Sequence, residues 1–83
     1  MKGRIETGWD SYLEQVVPKD SSEEQITECK RAFFAGASTA LVEVTMLSIL
    51  PETTGVIGLQ MMHEEVKQFA RDTVKRIFDA EKA

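Results

Sequence analysis

The chain has 83 residues, of which 42% are hydrophobic and 29% charged, with 10 basic against 14 acidic side chains. This length supports one domain at most, and such a small domain buries only about 60% of the surface of its unfolded form. The net charge of −4 argues against a protein that binds a DNA or RNA duplex, which needs a basic face. Cys29 is the only cysteine, so we expect no intrachain disulfide, no metal site and no cofactor.

Two prolines divide the chain into three predicted helices, because proline disfavours helix in the residue before it. The first helix is short, at about residues 8–17, with Thr7 and Asp10 as its N-terminal capping pair. About ten residues do not hold a helix in water alone. We therefore expect this helix to dock on the rest of the chain through Trp9.

The second predicted helix is long, at about residues 21–50. It opens at Ser21 or Ser22, with Glu24 or Gln25 three residues on, the pattern of a capping box. Its apolar residues recur three and four apart along two neighbouring stripes. Because one stripe covers one neighbour, two stripes predict more than one packing partner.

The third predicted helix runs over about residues 54–81. Thr53 or Thr54 is its expected N-cap. Gly55 and Gly58 have low helix propensity and weaken its first turn. The start of this helix is therefore expected to fray.

The two long helices are similar in length and joined by a short turn, which predicts an antiparallel two-helix hairpin. In that hairpin Gly36 lies opposite Phe69, a small residue against a large one. One copy would still expose more apolar helix surface than it can bury. We therefore predict a single all-α domain over residues 1–83, completed as a bundle by homo-oligomerisation. The residues expected at helix and oligomer contacts are Ala32, Phe33, Gly36, Ala40 and Phe69.

A row of basic residues follows one face of the third helix at every fourth position, starting at His63. Like charges at this spacing repel, so the row needs an anionic neighbour. Carboxylates of the same chain are one candidate. The alternative is a phosphate-bearing ligand or an acidic partner, with Arg71 as the bidentate anchor.

Lys30 and Arg31 lie near Trp9 and Tyr12 if the first helix folds back on the second. Aromatic rings beside cations can stack a base and hold its phosphate. Core packing of the tryptophan and snorkelling of the cations explain the same residues. The candidate ligand-binding residues from both sets are Trp9, Tyr12, Lys30, Arg31, Lys67, Arg71 and Lys75.

Glu43 is the only charge within residues 32–50. At the centre of a bilayer it would cost about 2.5–3.5 kcal/mol, which argues against a membrane span. It pairs either with His63 or across an interface with another copy, and both alternatives stay open. No serine or cysteine nucleophile with a local motif accompanies Glu43 and His63, so we expect no enzyme.

Residues 9–37 resemble a pattern in short uncharacterised accessory proteins of tailed bacteriophages. The pattern is a Trp-x-x-Tyr helix (Trp9 and Tyr12), a proline turn (Pro18) and Arg-Ala-Phe-(Phe/Tyr)-Ala-Gly-Ala, which is residues 31–37 here. The resemblance implies a phage accessory gene product and brings no known reaction or ligand. The first ten residues lack the apolar segment of a secretory signal, so the expected location is the host bacterial cytoplasm.

The residue patterns favour a non-enzymatic homo-oligomer. The resemblance to phage accessory proteins implies that it acts by stoichiometric binding and counters a bacterial antiviral defence. A sharper form of this hypothesis is the sequestration of an anionic, cyclic nucleotide signal between protomers. The alternative is a protein–protein interaction inhibitor that docks a helix face on a host protein. A third possibility is a structural or membrane-active phage protein.

Overall fold

The computed structural model describes residues 1–82 as three helices: α1 (Arg4–Gln15), α2 (Glu23–Ser48) and α3 (Glu52–Lys82). No strand occurs among these residues, which confirms the predicted all-α class. Within the same residues, no helix combines the length and apolarity needed to cross a bilayer. The chain divides into two compact units, Met1–Glu43 and the residues from Val44 on. The antiparallel hairpin and its completion in an oligomer stay predictions.

The first helix begins at Arg4, four residues before the predicted start. Its N-cap is Gly3, and the hydroxyl of Thr7 donates to the Gly3 carbonyl at 3.0 Å rather than capping a later turn. Asp10, the expected partner of Thr7, instead accepts a hydrogen bond from the ammonium of Lys2. This bond raises the pKa of Lys2 above its usual value. Asp10 therefore joins Lys2, which precedes α1, to the middle of the helix instead of capping its first turn.

The N-terminal unit packs α1 against α2 through one buried tryptophan. Trp9 is 3% exposed and Val17 is 7% exposed. The ring of Trp9 meets the ring of Phe33 edge-on, with 5.7 Å between ring centroids. An ion pair of 2.9 Å between Glu6 and Lys30 also joins the two helices. The prediction that the first helix docks through Trp9 is confirmed.

The second helix opens with the predicted capping box, formed by Ser22 and Gln25. The amide of Gln25 donates to the Ser22 hydroxyl at 3.1 Å, and the amide of Ser22 donates to the Gln25 side-chain oxygen at 2.9 Å. Each side chain thus satisfies a backbone donor that has no partner inside the helix.

The third helix begins at Glu52, before either threonine that was expected to cap it. The carbonyl of Pro51 accepts its first backbone hydrogen bond, from Gly55 at 2.9 Å. A Cβ atom at Gly55 would lie 2.9 Å from the Leu47 carbonyl oxygen, and one at Gly58 would lie 2.5 Å from a Leu47 methyl group. The two glycines therefore let the end of α2 approach the start of α3, a role that helix propensity does not reveal.

We expect Gly55→Ala to destabilise the C-terminal unit, although a glycine-to-alanine change in a helix usually stabilises by about 0.5–1 kcal/mol. The added methyl group would collide with backbone, which cannot move aside as a side chain can. Gly8→Ala is the matched control, because a Cβ there meets Phe33 at an ordinary 3.5 Å. Thermal melts followed by circular dichroism measure both variants. A higher melting temperature for Gly55→Ala would contradict this account of the turn.

Candidate functional site

A small groove on α2 brings two cations beside an aromatic ring. It has a volume of about 300 Å³ and is lined by Ile26, Thr27, Lys30, Arg31 and Phe34. We call it the cationic groove. Its cations lie four and three residues before Phe34, so one face of the helix presents all three side chains. The ammonium of Lys30 lies 5.9 Å from the centre of the Phe34 ring, within range of a cation–π contact.

Both cations of the groove have carboxylate partners, one of them part-buried and one exposed. Lys30 pairs with Glu6 at 2.9 Å, and Arg31 pairs with Glu28 at 2.6 Å. The Arg31 side chain is 72% exposed, so its guanidinium keeps donors directed to solvent. Exposed ion pairs contribute only about 0–1 kcal/mol. A multivalent anion could therefore displace Glu28 from Arg31 at low cost, whereas the part-buried pair of Lys30 and Glu6 joins α1 to α2.

The two aromatic residues proposed from the sequence have different positions. Trp9 is 3% exposed, and the rings of Tyr12 and Phe33 lie within 6.0 Å of it, so it belongs to the core of the N-terminal unit. Tyr12 is 40% exposed. The ring that lies beside Lys30 and Arg31 is that of Phe34, which was not among the candidate ligand-binding residues named from the sequence. Its spacing from Lys30 was the available signal.

A second and larger groove lies between α1, the connecting segment and α2. Its volume is about 570 Å³. Tyr12, Val17 and Pro18 form part of its apolar wall, and Glu24 and Glu28 lie one helical turn apart along its α2 side. The remaining lining residues are Val16, Ser21, Gln25 and Cys29. We call it the acidic-edged groove.

The basic row of α3 is partly neutralised within its own helix. Arg71 donates to Glu64 at 2.6 Å and to Gln68 at 2.8 Å, which supports the intramolecular explanation for this residue. Lys67 and Lys75 lie on the same helix with exposed side chains. The row belongs to the C-terminal unit, whereas the cationic groove belongs to the N-terminal unit.

Apolar residues at helical spacing form an exposed stripe along α3. Val66 is 70% exposed, Phe69 is 72% exposed and Ile77 is 56% exposed. No described residue of α3 is buried. Isolated exposed apolar residues are ordinary, but a row at helical spacing is typical of a surface that binds a partner.

The other residues expected at packing contacts are divided between the interior and the surface. Phe33 is half-buried in the aromatic cluster. Ala32, Gly36 and Ala40 are exposed, and a Cβ atom at Gly36 would meet no atom within 4 Å. This ladder leaves room for a close neighbour. Its role in an oligomer stays a prediction, as does the pairing of Gly36 with Phe69.

The arrangement offers the groups that bind an anionic ligand. The cationic groove offers an ammonium, a guanidinium fork and a ring face, which together match a phosphate attached to a planar, partly apolar group. Glu43 and His63 are both exposed. Within residues 1–82, no three histidine, cysteine, aspartate or glutamate side chains group as metal ligands. No protein-family model, curated protein or solved structure matches the chain.

Proposed function

We propose that this protein is a non-enzymatic, homo-oligomeric binding protein that sequesters an anionic nucleotide, with a cyclic nucleotide signal as the preferred class. The cationic groove is the observation that supports this most directly. It holds two cations and a half-buried aromatic ring on one face of α2.

Self-association is supported by the exposure of apolar side chains. Only Trp9 and Val17 are buried apolar residues among those described, whereas Val66 and Phe69 are about 70% exposed. Burying one such side chain stabilises by about 1.5–3 kcal/mol. Several along one helix therefore supply enough free energy to hold copies together, although association itself costs about 4–15 kcal/mol.

Nucleotide capture is supported by the chemistry of the groove. A cyclic dinucleotide or trinucleotide carries phosphate charges for Lys30 and Arg31 and a flat base for Phe34. A groove of about 300 Å³ on one copy covers only part of such a ligand. A second copy would supply the opposite wall.

Calorimetry of the wild-type protein against cyclic and linear nucleotides tests this proposal. We expect heat with one class and fewer than one ligand per chain, because copies share each site. Arg31→Ala and Lys30→Ala should each weaken binding about tenfold to a hundredfold, through loss of a charge-assisted hydrogen bond. Arg31→Lys should recover part of the loss, since it restores the charge without the fork.

Lys19→Ala is the matched control, because Lys19 donates to the Glu14 carbonyl and lies outside the cationic groove. Chromatography after incubation should return the nucleotide unchanged, as a non-enzymatic protein requires. The absence of heat with every nucleotide of the panel would overturn the nucleotide proposal.

The small-residue ladder gives a separate test of self-association. In the single chain, Gly36→Ala adds a methyl group in open space, so α2 should gain about 0.5–1 kcal/mol of stability. If a second helix packs on the ladder, the same methyl group weakens association. We expect a higher melting temperature in dilute solution together with a lower association constant by sedimentation. An unchanged association constant would remove the ladder from the interface.

A phage origin and a role against bacterial defence are part of the same proposal. Both rest on the resemblance of residues 9–37 to phage accessory proteins. Three of the residues that carry it, Trp9, Tyr12 and Phe33, form one packed cluster, with Tyr12 and Phe33 5.8 Å apart. That clustering supports a shared fold for this unit. Action in the host cytoplasm follows if the captured signal is a cytoplasmic nucleotide.

A second candidate function is inhibition of a host protein by a docked helix face. The exposed stripe with Val66, Phe69 and Ile77 favours it, because grooves on partner proteins recognise residues at this spacing. This alternative predicts a free protein that is monomeric or weakly dimeric and that retains one specific host protein. A stable tetramer or hexamer that retains none would count against it.

A further inference from the structure

The acidic-edged groove and the C-terminal half of α3 have complementary surfaces. The groove has an apolar wall around Val17 and Pro18, with Glu24 and Glu28 along one side. Its volume, about 570 Å³, is ample for a large apolar side chain. An apolar groove bounded by carboxylates fits a helix that presents an apolar side chain between cations.

The C-terminal half of α3 presents such a face. At 3.6 residues per turn, Arg71, Lys75 and Phe78 lie on one side of the helix, with Val74 next to them. Phe78 is 58% exposed and Val74 is 52% exposed, so both side chains are accessible to a packing partner. Lys75 and Lys82 lie one turn before and one turn after Phe78.

We propose that the acidic-edged groove receives α3 of a second copy, with Val74 and Phe78 against the apolar wall and Lys75 beside Glu24. This contact deepens the proposed function, on whose homo-oligomer it rests. It leaves the cationic groove, on the Lys30 and Arg31 side of α2, at the edge of the interface. If each copy inserts its α3 into the other, the contact closes as a two-fold dimer.

Charge complementarity is the reason for choosing a second copy over another partner. The groove edge carries Glu24 and Glu28, whereas the docking face of α3 carries Lys75 and Lys82 beside Phe78, so the two contacting surfaces have opposite charge. The net charge of −4 otherwise opposes association of copies. Placing the cations of α3 on the carboxylates of α2 offsets part of that repulsion.

Cross-linking between two distinguishable chains tests the contact, because Cys29 lines the groove and is the only native cysteine. The wild-type chain is mixed with a longer, tagged chain carrying Cys29→Ala and Val74→Cys, and a short bis-maleimide is added. We expect a covalent species with the summed mass of the two chains. Every charged residue of the proposed contact and Phe78 itself remain in place.

The matched control carries Cys29→Ala and Ala80→Cys, which places the thiol about 120° away around α3 at 3.6 residues per turn. We expect it to lose most of the mixed cross-link. Glu24→Lys in the Cys29 chain should also reduce the yield, and Lys75→Glu in the tagged chain should restore it. Restoration by the swapped pair identifies a direct ionic contact, since a fold defect would not be repaired from the other chain.

The outcomes separate this contact from the proposed function. Equal cross-linking by the two tagged chains, or no mixed species from an oligomer of unchanged mass, overturns the docking of α3 and leaves nucleotide binding standing. A wild-type chain that sediments as a single copy at every concentration overturns both the contact and the oligomer. If calorimetry detects no nucleotide binding but the mixed cross-link still forms, only the nucleotide proposal is overturned.

Discussion

Trp9→Ala is expected to unfold the N-terminal unit. The indole is 3% exposed and forms the contact between α1 and α2 with Phe33, so its removal deletes the largest part of a small core. Replacing a buried tryptophan by alanine costs about 3–5 kcal/mol, and a typical domain is stable by only about 5–15 kcal/mol. α1 is 12 residues long, too short to persist once it is undocked.

Urea denaturation followed by circular dichroism at the helical band measures this loss. Trp9→Phe should retain most of the stability, because a smaller ring can still pack on Phe33. Met61→Ala is the surface control, since Met61 is 68% exposed and its truncation should change stability little. A Trp9→Ala protein with the wild-type midpoint would show that the aromatic cluster does not hold the unit together.

Phe69→Glu is expected to remove the contact that the proposed oligomer makes through Val66, Phe69 and Ile77, a face about 180° around α3 from Phe78, without unfolding the chain. Phe69 is 72% exposed in the single chain, so a carboxylate there remains in water when copies are apart. In an interface the change removes about 1.5–3 kcal/mol of apolar burial and adds the cost of an unpaired charge. With about 1.4 kcal/mol per tenfold change, association should weaken at least a hundredfold.

Sedimentation velocity over a range of concentrations measures the effect, with circular dichroism to verify that the helices persist. Gln60→Glu adds the same charge about 180° away around α3 at 3.6 residues per turn and should leave the mass unchanged. Phe69→Leu should also retain the oligomer. Should the wild-type protein itself sediment as a stable single copy, the expectation fails at its premise.

Local rules in the sequence were sufficient where a structural feature depends on neighbours along the chain. The capping box of Ser22 and Gln25 is one case, because its two hydrogen bonds join residues three apart. The docking of α1 through Trp9 is another, since a short helix with one large aromatic residue has few ways to become stable.

The start of α1 and the role of the turn glycines depended on more distant residues. Asp10 was assigned to Thr7 by spacing, but Lys2, eight residues earlier, is its partner. Gly55 and Gly58 read as weak helix formers, whereas their contact with Leu47 is what requires them. Spacing along one helix cannot reveal an atom that another helix brings to it.

The sequence by itself determined that the chain is helical, that its second helix is capped at Ser21 or Ser22, and which aromatic residue anchors the first; the structure selects Ser22. Only the tertiary structure decided that Trp9 is enclosed while Tyr12 remains accessible, and that Phe34 accompanies Lys30 and Arg31. The physical reason is the distance along the chain between the residues that interact. Helix periodicity and capping follow from residues within one or two turns, whereas burial and groove composition depend on which faces meet after the chain has folded.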